Sequence, residues 1–404
     1  MRPAPRFMVP RTTGHARGLL LGTLASAAFL AAPAPASAAL RAVGADPVHT
    51  AARVVGTPVA ATELPGATAS RLGRTAGTDR WLVGVRGDHR RVADLVRRAG
   101  GRFDGSLGFA SVPIDRATRL ARQLGPQLRW AGPDVKGRRL SSFEQPGGVI
   151  SPWSRSVGDV PSLDPADGTL APIGIVDDAV SHQVQELSRA TIVNHARAGE
   201  AHGTMVASVA AAPWNGVGVV GVAPRAPLLS WGTSFYCGDV SDGIITLVRR
   251  GAKVINLSLG FPQNCFTLWN AISYAYARGV AVVAAAGNDG DVRNTLTYPA
   301  SYPHVITAAA IDSGLAPASF SNYDDYVDVA APGVDVPVDV PKKLDHGRGR
   351  GKPYDGLAAV SGTSFAAPYV SGAMSWLLGA RPGLDPGQAE AILRESSRDL
   401  ADPG

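Results

Sequence analysis

Val360-Ser361-Gly362-Thr363-Ser364-Phe365-Ala366-Ala367-Pro368-Tyr369-Val370-Ser371-Gly372 sets one serine among small residues, just ahead of an apolar run through Met374, Trp376, Leu377 and Leu378. The pattern predicts a helix beginning at or just after Ser364. Free backbone N–H groups and the positive end of a helix dipole stabilise negative charge that develops beside a serine oxygen, which suits a nucleophile. Pro368 is expected in the first turn, where its missing N–H removes no intrahelical bond. Gly362 permits close backbone approach or an unusual dihedral. A small-residue loop entering a core helix has the same look, so a base and a carboxylate in suitable settings must decide.

Both occur upstream. Pro172-Ile173-Gly174-Ile175-Val176-Asp177 is a short apolar run ending in a carboxylate, as a buried parallel strand delivers an acid at its C-terminal edge. His202-Gly203-Thr204-Met205-Val206-Ala207-Ser208 puts a histidine at the head of a second small-residue helix. The chain order is Asp, His, Ser. No histidine follows Ser364 and no Gly-x-Ser-x-Gly surrounds it, which excludes the α/β-hydrolase order; the chymotrypsin order would place His before Asp.

With Ala286-Gly287-Asn288 added, four separated motifs make the chain resemble the subtilisin-family (subtilase) serine proteases over roughly residues 145–404. The resemblance implies a triad of Asp177, His202 and Ser364, and an oxyanion hole formed by the Asn288 amide and the Ser364 backbone N–H. It also implies that Ser258-Leu259-Gly260 pairs with substrate backbone. Thr297, standing where the best-known members carry glycine, would lie at the base of the primary specificity pocket and favour smaller side chains. The chemistry so implied needs no metal or organic cofactor. A structural calcium is a candidate at Glu186 and Asn215, which resemble ligands of the family's calcium loop. One departure is Asp178-Ala179, where the family has Ser or Thr and then Gly. Asp178 reads either as a solvated turn residue or as a second carboxylate favouring the charged imidazole of His202.

The chain is 404 residues long with 45% hydrophobic content, enough for more than one folding unit. Residues 1–38 read as a secretory signal peptide: Arg2, Arg6, Arg11 and Arg17 precede an apolar run that ends before Ala36-Ser37-Ala38. That run is shorter than the roughly 20 residues that span a bilayer, so no stable membrane anchor is expected. Residues 39–76 read as a flexible lead-in. Residues 77–140 give a β-α-β-β-α-β order, a ferredoxin-like α+β sandwich that resembles the subtilase propeptide, a folding aid and inhibitor acting through its C-terminal tail. The tail would begin near Pro133-Asp134-Val135-Lys136, with Arg139 and Leu140 as candidates for the residue before the cut. Residues 141–404 would form a subtilisin-like α/β catalytic domain. In it, strands near 172–177, 227–231, 252–258, 280–286 and 304–311 alternate with helices near 240–250 and 266–278, giving a doubly wound, mostly parallel sheet. A basic loop at 342–352 reads as a protease-sensitive insertion.

Charge separates along the same lines. Residues 71–140 hold 16 Lys and Arg against 6 Asp and Glu, whereas residues 141–404 hold 17 against 25. A net charge of +6 invites a nucleic-acid reading. Its distribution instead fits a basic inhibitor complementary to an acidic enzyme. No nucleic-acid partner is expected; the expected partners are polypeptide substrates and the chain's own propeptide. Cys237 and Cys265 each follow a predicted strand by a few residues. If those strands are neighbours, the thiols meet above the sheet, and in an exported protein a disulfide is expected. The expected function is a secreted, extracellular serine endopeptidase made as a zymogen. A dedicated maturation protease for one or few partners is the alternative. So is a catalytically inactive binding protein, disfavoured because all four catalytic positions are filled.

Overall fold

A computed structural model describes residues 78–87, 89–140, 170–181, 184, 187–194, 201–215, 218–341, 357–398 and 400. The signal peptide, the lead-in, Glu186 and the 342–352 loop lie outside the described residues. Among the described residues no helix is long and apolar enough to cross a membrane.

The amino-terminal unit runs β1 (Arg80–Val85), α1 (His89–Arg98), β2 (Arg102–Asp104), β3 (Phe109–Pro113), α2 (Ile114–Leu124) and β4 (Leu128–Pro133). Its antiparallel sheet has the order β2-β3-β1-β4, as the β-α-β-β-α-β reading predicts. Alternation along β1 assigns its two faces. Trp81, Val83 and Val85 join the unit's own core with Val92, Val96, Leu120 and Leu124 from its helices, whereas Leu82 and Phe109 belong to a core shared with the larger domain. After β4 the chain continues as an extended tail containing β5 (Arg138–Arg139).

The larger domain contributes β6 (Ile173–Asp177), β7 (Thr191–Asn194), α3 (Ala201–Ala211), β8 (Leu228–Gly232), α4 (Cys237–Arg249), β9 (Val254–Leu257), β10 (Leu259–Gly260), α5 (Phe266–Tyr276), β11 (Ala281–Ala285), β12 (Val305–Ile311), β13 (Val329–Pro332), β14 (Val336–Asp339), β15 (Leu357–Val360), α6 (Thr363–Ala380) and α7 (Pro386–Ser396). Among the described residues seven strands form one parallel sheet, ordered β13-β12-β11-β9-β6-β8-β7. The central strands β6, β9 and β11 are buried along their whole length. Both of their faces are covered, which is why they read as continuous apolar runs rather than alternating ones. Met205, Val206, Phe365 and Val370 from α3 and α6 fill one side of the sheet, and Ile244, Leu247, Leu268 and Ile272 from α4 and α5 fill the other. The sheet is thus doubly wound, with its functional edge where β6, β9 and β11 end.

Two local expectations change. Helix α6 starts at Thr363 with Gly362 as its N-cap at φ 148°, so Pro368 lies in the second turn rather than the first. Its missing N–H leaves the Ser364 carbonyl without the usual intrahelical donor. The Ser258 hydroxyl supplies one instead, at 2.7 Å. Secondly, β8 and β9 are not adjacent, because β6 lies between them. Cys237 and Cys265 nevertheless form a disulfide. Cys237 opens α4 and Cys265 caps α5, and these helices pack side by side on the same face of the sheet.

Candidate active site

Strand β6 ends in Asp177, which is fully buried. Its Oδ1 accepts hydrogen bonds from His202 Nδ1 and from the Asp178 backbone N–H, each at 2.7 Å. His202 occupies the first turn of α3, and its ring centroid lies 5.9 Å from that of Phe365, the neighbour of Ser364 on α6. Among the described residues the buried His202 Nε2 has no hydrogen-bond partner. The Ser364 hydroxyl donates to the Ser258 carbonyl at 3.1 Å. Helices α3 and α6 pack on the same face of the sheet, so the carboxylate and the imidazole meet at the end of β6 and the hydroxyl lies beyond the end of the neighbouring β9.

Asn288 follows β11. Its Oδ1 accepts from the Thr363 backbone N–H at 3.0 Å and from the Thr363 hydroxyl at 2.7 Å, which turns Nδ2 outward. That Nδ2 and the Ser364 backbone N–H converge on one atom, the carbonyl oxygen of Leu140, at 2.8 and 3.1 Å. Two preorganised donors on one carbonyl oxygen are the arrangement that an oxyanion hole requires. The tail of the amino-terminal unit therefore lies in the site as an acyl donor would.

The remainder of the tail agrees. Strand β5 pairs antiparallel with β10, Arg139 opposite Leu259 and Arg138 opposite Gly260. Upstream, Gly137 N–H donates to the Phe235 carbonyl at 2.7 Å, and the Val135 carbonyl accepts from Cys237 N–H at 2.9 Å. Leu140 is buried beside Gly260, where an added Cβ would come within 2.5 Å of the Thr297 methyl and 2.9 Å of Leu140 Cδ1. Only glycine leaves room there for the seated leucine and Thr297 together. Leu259, Gly260 and Thr297 are thus gathered around the tail, while Ser258 meets Ser364.

Asp178 is not a solvated turn residue. It is 1% exposed, its Oδ1 accepts the Gly203 backbone N–H, and its Oδ2 lies 3.3 Å from Arg139 Nη2. Burial first, and then the adjacent Asp177 charge, push its carboxyl above the ordinary carboxylate range, against the pull of His202, Arg139 and the Gly203 N–H. Asp289, next to Asn288, accepts Arg138 Nη2 on both oxygens at 2.8 Å. Sequence reading passed over Asp289 and the Arg139–Asp178 contact. The signal was an acidic residue immediately after Asp177 and another after Asn288, matched by two arginines before Leu140.

Beneath α6, Asn256 Nδ2 donates to the Ser258 hydroxyl at 2.9 Å, and the Ser371 hydroxyl donates to Asn256 Oδ1 at 3.0 Å. Of the two calcium candidates, Glu186 lies outside the described residues and Asn215 stands in the turn after α3. Among the described residues no three His, Cys, Asp or Glu side chains are gathered as a metal site.

The doubly wound sheet, with these groups at its C-terminal edge, has the architecture of an α/β enzyme that takes its ligand at the strand ends. The chain belongs to the subtilase family of serine endopeptidases, described as "Subtilase family", whose sequence profile matches residues 141–404. It is 36% identical over 249 residues to subtilisin DY of Bacillus licheniformis, covering 58% of this chain and 86% of that protein. With a probable subtilase-type serine protease of Deinococcus radiodurans it shares 36% identity over 293 residues, covering 69% of this chain and 39% of that longer protein. Its fold is similar to that of fervidolysin from Fervidobacterium pennivorans, a keratinolytic enzyme related to subtilisin. The TM-score is 0.59 at 25% identity, over 78% of this chain and 56% of that one.

Proposed function

We propose that this chain is an exported zymogen whose residues 141–404 hydrolyse peptide bonds through Asp177, His202 and Ser364, and whose residues 77–140 are a propeptide released by cleavage after Leu140. The observation that carries this reading is the Leu140 carbonyl held by the Ser364 N–H and Asn288 Nδ2.

In the reaction, Ser364 Oγ turns from the Ser258 carbonyl toward His202 Nε2 and gives it a proton while attacking the carbonyl carbon of the bound peptide. The Asp177 carboxylate holds the proton on Nδ1, so Nε2 is the basic nitrogen, and it stabilises the imidazolium. Negative charge moves onto the carbonyl oxygen between the two donors. The C–N bond then breaks, the leaving amine takes the proton from Nε2, and an acyl ester remains on Ser364. Water, deprotonated by the same nitrogen, attacks the ester and restores the hydroxyl. After the first such event the tail remains on β10 as a product and blocks the site. Export rests on residues 1–38, and the soluble enzyme would act outside the cell. A calcium ion held by Glu186 and Asn215 would steady the loop after α3 without entering the reaction.

The test is expression of the full chain followed by N-terminal sequencing and labelling with a fluorophosphonate. A new terminus at Ser141 and a label on Ser364 are expected, with Ser364→Ala remaining uncut and unlabelled. An unlabelled wild-type chain with no peptidase activity would overturn the reading.

A further inference from the structure

The tail is seated in a defined register. Leu140 presents the acyl carbonyl, so Arg139 and Arg138 occupy the first and second positions before it. Each arginine meets its own carboxylate. The Arg139 guanidinium is 3.3 Å from Asp178 Oδ2, and its Cζ is 5.6 Å from the centre of the Phe235 ring. Arg138 meets Asp289.

The two pairs differ in their settings. The Asp178 side chain is 1% exposed and held by the Gly203 N–H, whereas the Arg139 side chain is 41% exposed. A carboxylate buried next to Asp177 is poorly solvated, and a cation brought to it by a substrate relieves that cost. A neutral side chain there leaves the acid with only His202 and the Gly203 N–H to offset its charge. Asp289 and Arg138 are 30% and 62% exposed, where water and salt weaken the attraction. The first position should therefore discriminate strongly and the second weakly.

We propose that Asp178 is a specificity-determining residue, selecting polypeptides with arginine or lysine immediately before an aliphatic acyl residue, and that Asp289 adds a weaker preference for a second basic residue. This rests on the protease reading above. It assigns a substrate class: basic-basic-aliphatic sequences cut after the aliphatic residue, for which Arg138-Arg139-Leu140 is the internal example.

The test uses the processed enzyme obtained from the full chain and internally quenched peptides with the sequence of residues 135–143. Replacing the Arg139 equivalent by alanine should lower kcat/KM about tenfold, and by glutamate further. Replacing the Arg138 equivalent should lower it about threefold at low salt, an effect that fades in about 1 M salt. In the Asp178→Asn enzyme, which keeps an acceptor for the Gly203 N–H, the preference for arginine over alanine should collapse. Equal kcat/KM for the arginine, alanine and glutamate peptides would overturn the proposal, as would an undiminished arginine preference in Asp178→Asn. Should that variant fail to mature, the wild-type peptide series decides alone. Cleavage and fluorophosphonate labelling without discrimination would sink the subsite while sparing the protease reading; no cleavage and no labelling would sink both.

Discussion

At the scale of single residues, Asn288 carries the plainest expectation. Thr363 fixes its amide and Nδ2 is aimed at the carbonyl oxygen, so Asn288→Ala should lower kcat by about 10²–10³-fold with little change in KM. Steady-state kinetics on one peptide checks this. Asp177, His202, Asn288 and Ser364 could be picked out in sequence as candidates because the chemistry restricts residue type and each sits at the end of a recognisable strand or the start of a helix. Asp289, and the pairing of Asp178 with Arg139, were not. An acid's partner is set by the register of a tail strand against β10, and no local pattern of residues encodes that register. Pro368 was misplaced by one turn for a similar reason: the start of α6 depends on the N-cap dihedral of Gly362, which the string of letters does not carry.

Among the elements, α6 is held to the sheet by a buried polar chain: Ser371 to Asn256, Asn256 to Ser258, and Ser258 to the carbonyl that Pro368 leaves free. Ser258→Ala would bury that carbonyl without a donor, at about 1–3 kcal/mol. A lowered unfolding midpoint in denaturant, larger than that of Ser241→Ala on α4, is the expected result. The α4–α5 pair is linked by its disulfide across 28 residues. Replacing both cysteines by alanine should cost about 2–4 kcal/mol in the loop-entropy account, and thiol titration of the denatured, unreduced wild type should find no free thiol. The strands that form the sheet centre were legible from their apolar runs. Strand β7, the β14–β15 hairpin and α7 were not, being short, partly exposed or dependent on tertiary neighbours for their pattern.

Across the whole molecule, the charge separation seen in sequence becomes contacts. Arg102 of the amino-terminal unit meets Asp242 at 3.0 Å and lies over the Trp231 ring, and Arg249 of α4 donates to Ser106. Asp134 is buried at the start of α4, accepting the Gly238 N–H at 2.9 Å. Burial pushes its carboxyl from 3.8 up to about 6, against the Ser111 hydroxyl, the Gly238 N–H and Arg80. A carboxyl whose value is raised in the docked state takes up a proton on docking. That contribution is full below about pH 4 and is lost as pH rises through about 6. On the proposed zymogen reading, the processed but undissociated complex should therefore release its inhibitor more readily at neutral pH than at acidic pH, and more readily in high salt. Asp134→Asn should flatten the pH dependence, measured as peptidase activity recovered after gel filtration. The seated Leu140 carbonyl has a kinetic corollary. On the proposed zymogen reading, a molecule that holds its own scissile group against its own nucleophile has no need to meet a second copy, so maturation should be unimolecular, with one half-life whether the protein is dilute or concentrated.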